Sequence, residues 1–305
     1  MSFSSAVKTE LADLGVERDC CLKAETYGLL LFSRSFTASE MQLQTENRAV
    51  AQRWYHFVKK VCAVKPVLQE SKAGVCHLSI PSVADRFKVL ETFGHSVQET
   101  SLHINRANLE DECCMQAFVR GAFLSCASMT DPNKEYHLEF LMPRRRLSGD
   151  FVSILNELQI PSSQTLRKGV GVIYLKGSEH IEDLLTNIGA MSSTLQLMNV
   201  KIYKDMRNVI NRRANCETAN ITRTVEAALA QTEDIAFLSE IGEFEKLPAR
   251  LREVAILRRD NPELSLSELG KLATPQLSRS GVIHRLTKLS ELAAELRKKH
   301  SKPKG

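Results

Sequence analysis

The sequence lacks any apolar run approaching the ~18 residues that a bilayer crossing needs; Tyr27 to Phe32 is among its longest. No membrane-spanning helix is expected. The opening residues, Met1-Ser2-Phe3-Ser4-Ser5, contain no basic stretch followed by an apolar core, so no secretory leader is expected and a cytoplasmic place follows. Also absent is any Cys-x-x-Cys pair, the spacing that commonly builds a zinc site. The eight cysteines stand instead as two adjacent pairs, Cys20-Cys21 and Cys113-Cys114, and four singles, Cys62, Cys76, Cys126 and Cys216. Neighbouring residues on a helix point about 100° apart, which makes each pair a poor chelate. We therefore expect small buried thiols in a reducing compartment, with no metal and no cofactor.

Acidic residues are scarce in the last fifth of the chain. From Lys246 to Gly305 there are 14 Lys and Arg against 6 Asp and Glu, a net of +8. The residues before them carry 27 against 30, a net of −3. A basic end on a slightly acidic body is the footprint of a polyanion-binding module joined to a domain with another task. At 305 residues, 43% apolar and 25% charged, the chain is long enough for two or three domains, each with its own core.

What the sequence does hold is a repeat. Cys20-Cys21-Leu22-Lys23-Ala24-Glu25-Thr26-Tyr27-Gly28-Leu29-Leu30-Leu31 is echoed by Cys113-Cys114-Met115-Gln116-Ala117-Phe118-Val119-Arg120-Gly121-Ala122-Phe123-Leu124, an offset of 93 residues. Both read C-C-x-x-A-x-x-x-G-x-x-L. A period of that length means two copies of one domain-sized unit, since solenoid repeats are shorter.

The periodicities support the same reading. Helices are predicted over 2–14, 20–33, 49–64 and 83–93, with strands over 41–45 and 75–80. The second copy follows with helices over 112–126, 150–158 and 181–188 and strands over 136–141 and 171–175. The fold class is α+β: two copies over 1–97 and 98–200, then a basic helical linker over 201–221, then an all-α domain over 222–305. The linker interleaves Lys201, Lys204, Arg207, Arg212 and Arg213 with Asn208, Asn211, Asn215 and Asn220.

Within the all-α end, Ser265 to Leu286 reads as a helix-turn-helix. Leu266, Leu269 and Leu272 give the first helix an inner face, a turn follows, and Ser278 caps a second helix whose Val282, Leu286 and Leu289 pack back. That leaves Arg279, Ser280, His284, Arg285 and Lys288 outside, where the start of such a helix enters the major groove. Arginines there suit guanine edges or phosphates, and Ser280 and His284 suit base edges. Arg258 and Arg259, at the end of the supporting helix, suit phosphates. Gly281 just inside the helix costs roughly 1 kcal/mol relative to Ala, which points to close approach of DNA or of a neighbouring helix.

These segments carry a resemblance. The repeated G-x-x-L helices look like the paired helices of LAGLIDADG homing endonucleases. Leu247-Pro248-x-x-Leu251-Arg252-Glu253-Val254-Ala255 and Leu277-Ser278-Arg279-Ser280-Gly281-Val282-x-His284-Arg285-Leu286 resemble region four of sigma factors. Both together, in this order, resemble the bacterial WhiA family. The resemblance implies an αββαββα saddle whose central helices cross at Gly28 and Gly121. It implies a double-stranded-DNA-binding, nucleoid-associated regulator of cell division and chromosome segregation, and of sporulation in spore formers; a separate reading is an interaction hub that binds RNA polymerase or division proteins.

One departure sets the expected chemistry. Active LAGLIDADG enzymes end each repeat helix in an acidic residue that holds divalent metal. Aligned on the glycines, those positions fall on Ser33 and Cys126, neither a hard carboxylate ligand. The chain is therefore expected not to be an enzyme. The competing readings are a metal-dependent endonuclease using Glu25, Glu112, Asp131 or Glu139, and an interaction hub. No heptad seam specifies an oligomeric state.

Overall fold

The two repeat helices lie side by side at the centre of the first unit. Helix α1 spans Phe3–Asp13 and α2, the first repeat helix, Asp19–Leu31. Then come β1 (Ser35–Phe36), β2 (Met41–Thr45), α3 (Arg48–Cys62), β3 (Val67–Glu70), β4 (Cys76–Ser79) and α4 (Val83–Thr92). The second copy runs α5 (Glu112–Cys126), β5 (Ala127–Met129), β6 (His137–Met142), α6 (Arg145–Glu157), β7 (Ser163–Arg167), β8 (Val170–Lys176) and α7 (Ser178–Ile188). Residues 2–96, 101–142 and 144–300 are described by this computed structural model, which divides into units Met1–Asp205 and Met206–Gly305.

The copies agree strand for strand. Each forms an antiparallel four-stranded sheet, ordered β1-β2-β4-β3 in one and β5-β6-β8-β7 in the other. Leu43 sits opposite Leu78 in the first, and Leu138 opposite Leu175 in the second. The inward side chains of β2, β4, β6 and β8 are buried, as alternation along a half-covered strand requires.

Close packing of α2 on α5 depends on the repeated glycines. A Cβ on Gly28 would lie 2.2 Å from the Phe118 carbonyl oxygen, and one on Gly121 would lie 2.3 Å from that of Glu25. No side chain fits at either crossing point. The helices run parallel, Gly28 facing Phe118 to Ala122 while Gly121 faces Glu25 to Leu29.

A buried carboxylate ties the copies together. Glu25 is inaccessible to solvent; its Oε1 accepts from Arg53 Nε at 2.5 Å and its Oε2 from Arg120 Nε at 2.8 Å. Arg53 also donates to the carbonyls of Ala12 and Leu14, and Arg120 to that of Ile188. A buried charge is tolerable only when its bonds are met this way.

Among the described residues, β1, β3, β5 and β7 are strands that the periodicities do not predict. All four are sheet edges. Every residue of β3 and β7 is exposed, so neither carries the alternation that marks a half-buried strand. Helix α6 begins earlier than expected, at Arg145. The cysteines also depart from the expected burial: Cys62, Cys76 and Cys114 are buried, but Cys20 and Cys216 are exposed.

Beyond α7, α8 (Met191–Glu240) is one unbroken helix of 50 residues that takes in the expected linker. In the second unit, α9 (Ala249–Asp260), α10 (Leu266–Leu272) and α11 (Arg279–His300) pack with the end of α8 around Ile235, Leu238, Val254, Leu269, Val282, Leu286 and Leu289.

Candidate nucleic-acid interface

Local sequence fixes where α10 and α11 begin. Ser265 caps α10 in a reciprocal box: its Oγ accepts from Glu268 N, and its own N–H donates to Glu268 Oε2 at 2.9 Å. These bonds hold the Glu268 carboxyl below the usual carboxylate range. Ser278 Oγ accepts from Gly281 N at 3.2 Å, closing the first turn of α11. Between the helices, Leu277 N donates to the Gly270 carbonyl at 2.8 Å, and a Cβ on Gly270 would lie 2.3 Å from the Leu277 oxygen. That contact sets the sharp turn.

The inner face of α11 holds Val282, Leu286 and Leu289, each 1% exposed. Leu269 is likewise buried, but Leu272, expected on the inner face of α10, is 51% exposed because α10 ends there. Arg279, Ser280, His284 and Lys288 are exposed; Arg285 is half-buried and donates to the Gly281 carbonyl at 3.3 Å. A cleft joins Ser280, His284, Arg285 and Lys288 to Pro248 and Arg250 at the start of α9. Arg279 opens instead onto a second cleft with Asn220 and Arg223 of α8 and Ser265 and Ser267 at the start of α10. Sequence reading missed Arg223 and Arg250, which lie far from the motif along the chain.

Arg258 corrects the sequence reading. Expected to face phosphates, it is only 1% exposed, and its Nη1 donates to the carbonyls of Pro262 and Leu264. Burial lowers its pKa. Position Arg258 lies on the inner side of α9, and its guanidinium ties down the α9–α10 turn. Arg259 is exposed and pairs with Asp260 at 2.9 Å. For Gly281, an added Cβ would meet nothing closer than 3.4 Å, so of the two expected causes a neighbouring helix is removed and the approach of DNA is left.

At the far ends of the repeat helices, Ser33 is buried and its Oγ donates to the Leu29 carbonyl at 2.6 Å. Burial pushes the Cys126 thiol up to about 12, and the nearby ammonium of Lys8 is lowered by its own burial. A neutral thiol beside a lysine and a hydroxyl spent on its own helix do not form a hard-cation site. The other carboxylates weighed for such a site are engaged. Arg53 and Arg120 hold Glu25, Gln116 donates to Glu112, the Asn133 turn occupies Asp131, and Arg167 pairs with Glu139 at 3.3 Å.

The opposite, N-terminal ends of α2 and α5 carry a grouping that sequence reading missed. The four sulfurs of Cys20, Cys21, Cys113 and Cys114 all lie within 4.8 Å of one another. Neither adjacent pair is a chelate by itself. The signal that finds the group is the repeat itself, since it places both cysteine pairs at the same end of two helices packed side by side.

The fold and these surfaces define a class: a duplicated LAGLIDADG-like body without the acidic pair, followed by a helix-turn-helix unit. Residues 115–207 match the WhiA LAGLIDADG-like domain and residues 210–293 the WhiA C-terminal helix-turn-helix domain. The chain is 37% identical over 314 residues to a probable cell division protein WhiA of Ruminiclostridium cellulolyticum, covering 99% of this chain and 100% of that one. It is 38% identical to the Bacillus subtilis protein of the same name, covering 97% and 98%. The crystal structure of full-length WhiA from Thermotoga maritima shares the fold, with a TM-score of 0.59, 22% identity and coverage of 97% and 99%. The chain belongs to the WhiA family.

Proposed function

We propose that the chain is a DNA-binding regulator of cell division that reads double-stranded DNA through α11 and does not cut it. The observation carrying this reading is the exposed start of α11, where Arg279, Ser280 and His284 stand free of the core on a helix whose opposite face is fully buried. That is the geometry a major-groove helix requires. Ile283, 42% exposed on the same face, offers an apolar contact for a thymine methyl. Arg223 and Arg250, on the cleft walls either side, suit flanking phosphates. The name of the curated relatives supports the division role. The replacement of both acidic positions by Ser33 and Cys126 supports a non-catalytic body.

The test uses the full chain and the genomic duplexes it occupies in cells, recovered by crosslinking. Arg279→Ala and Arg285→Ala each weaken retention in a gel shift, by about 1–3 kcal/mol where the arginine meets a base, and the exposed Arg279→Ala does so with unchanged thermal stability. Arg258→Ala serves as the contrast, lowering stability through its lost carbonyl bonds. Undiminished retention of both surface variants, or plasmid nicking by the wild-type chain with magnesium or manganese, overturns the reading.

A further inference from the structure

We propose that Cys20, Cys21, Cys113 and Cys114 form a tetrathiolate site for a single zinc ion, joining the two repeats at the N-terminal ends of their central helices. The cluster stands on geometry independent of the DNA surface. Four sulfurs within 4.8 Å of one another already approach the spacing of a mononuclear site. Tetrahedral zinc with bonds of about 2.3 Å sets its sulfurs about 3.8 Å apart, so closure needs shifts of about 1 Å or less. An iron–sulfur cluster, whose thiolates surround several metals, needs a wider cage.

The objection that adjacent cysteines chelate poorly holds for a helix interior but fails here. Cys20 and Cys21 occupy the first turn of α2, and Cys113 and Cys114 the first turn of α5. Cβ bonds tilt toward a helix N-terminus, so thiols in a first turn lean toward the helix end, and here all four sulfurs converge there. Parallel helices crossing at Gly28 and Gly121 bring the two ends together. Each helix supplies two ligands and the crossing supplies the convergence.

The surroundings suit an anionic centre. Four thiolates on a divalent ion leave a net charge of −2. The positive dipole ends of both helices lie at the cluster, and Arg18 Nη1 donates to Cys113 Sγ at 3.6 Å, against the acidic Asp19, Asp111 and Glu112 beside it. Cys20 is exposed, which gives the ion an entry route. No electrons move: as each sulfur–zinc bond forms, a thiol proton passes to solvent. A closed set of four protein ligands marks a structural role rather than a catalytic one. The site lies at the opposite end of α2 and α5 from Ser33 and Cys126, roughly 20 Å away at about 1.5 Å per residue, and is unrelated to the hard-metal position of the endonucleases.

The experiment measures metal in the full chain, purified under reducing conditions without added chelator. One zinc per chain is expected in the wild type and in Cys216→Ser, whose exposed thiol lies outside the cluster. Cobalt added to chelator-stripped protein gives the intense visible bands of a tetrahedral thiolate complex together with sulfur-to-cobalt charge transfer. Both are lost in Cys20→Ser/Cys113→Ser, and circular dichroism checks that this variant is folded. Wild-type protein that takes up no zinc and leaves all eight thiols titratable in excess zinc overturns the site. So do cobalt bands that survive in the double variant. Thiol trapping in cells, followed by an intact mass short of two hydrogens per bond within the cluster, overturns it in favour of a disulfide.

Discussion

Two glycines of the second unit separate structural from functional constraint at single-atom resolution. Gly270 has no room for a methyl group, because the Leu277 carbonyl would sit 2.3 Å from it. The clash is with backbone, which cannot rotate away, and the Leu277–Gly270 hydrogen bond would have to open with it. Gly270→Ala is expected to destabilise the second unit by about 2 kcal/mol or more, in the range of overpacked sites. Gly281 has space, its nearest neighbours being the ends of Ser278 and Arg285 at 3.4 Å. Replacing it with Ala removes helix-interior glycine and is expected to stabilise by up to about 1 kcal/mol. Denaturant titration of the full chain, followed by circular dichroism, checks both signs. If DNA approaches α11 at Gly281, the same stabilised variant binds more weakly in the gel shift.

Secondary-structure elements show which features a one-dimensional reading reaches. Helices with a buried stripe and strands with a buried alternate face were legible, because periodicity is the imprint of burial. Edge strands β3 and β7 were not, since pairing alone holds them and pairing uses backbone atoms common to every sequence. Caps were legible at Ser278, where the oxygen acts locally. Arg258 was misjudged because which side of α9 is buried depends on α10 and α11, distant in sequence. The thiol cluster was hidden for a related reason: only the pairing of two repeats completes it.

The capping box of α10 yields a prediction at this scale. Glu268 has its carboxyl pKa lowered by its bonds with Ser265. A depressed folded-state pKa contributes stability that is present above the unfolded value and is lost as pH falls through the folded one. Ser265→Ala removes the box, and N-cap losses run at about 1 kcal/mol. The stability gap between wild type and Ser265→Ala should therefore be widest near neutrality and narrow as pH falls below about 4.3, the ordinary glutamate value. Parallel denaturation curves at pH 7 and pH 3.5 measure it, and a gap that widens in acid contradicts the assignment.

For the whole molecule, the uneven charge makes the basic second unit the half expected to govern affinity in the proposed DNA binding. Phosphate neutralisation releases counterions, so log Kobs falls against log salt by about 0.9 for each phosphate contacted. Basic residues count only if they are not already engaged. In the first unit, Lys204 Nζ donates to the Pro132 carbonyl at 2.7 Å and sits 4.6 Å from the Tyr136 ring centre. Its neighbour Lys201 lies 3.7 Å from Glu182 and 3.6 Å from Glu179. Both basic positions at the start of the expected linker are thus committed to the body of the first unit, whereas Arg279 at the start of α11 is exposed. Arg279→Ala in the full chain should lower the salt slope by about one unit where Arg279 meets a phosphate, and weaken binding at a nearly constant slope where it meets a base. Lys201→Ala with Lys204→Ala should leave the slope unchanged. Titrations from about 50 to 200 mM salt resolve the difference. A slope that falls with the lysine pair and not with Arg279 would move the grip on DNA from the helix-turn-helix to the duplicated body.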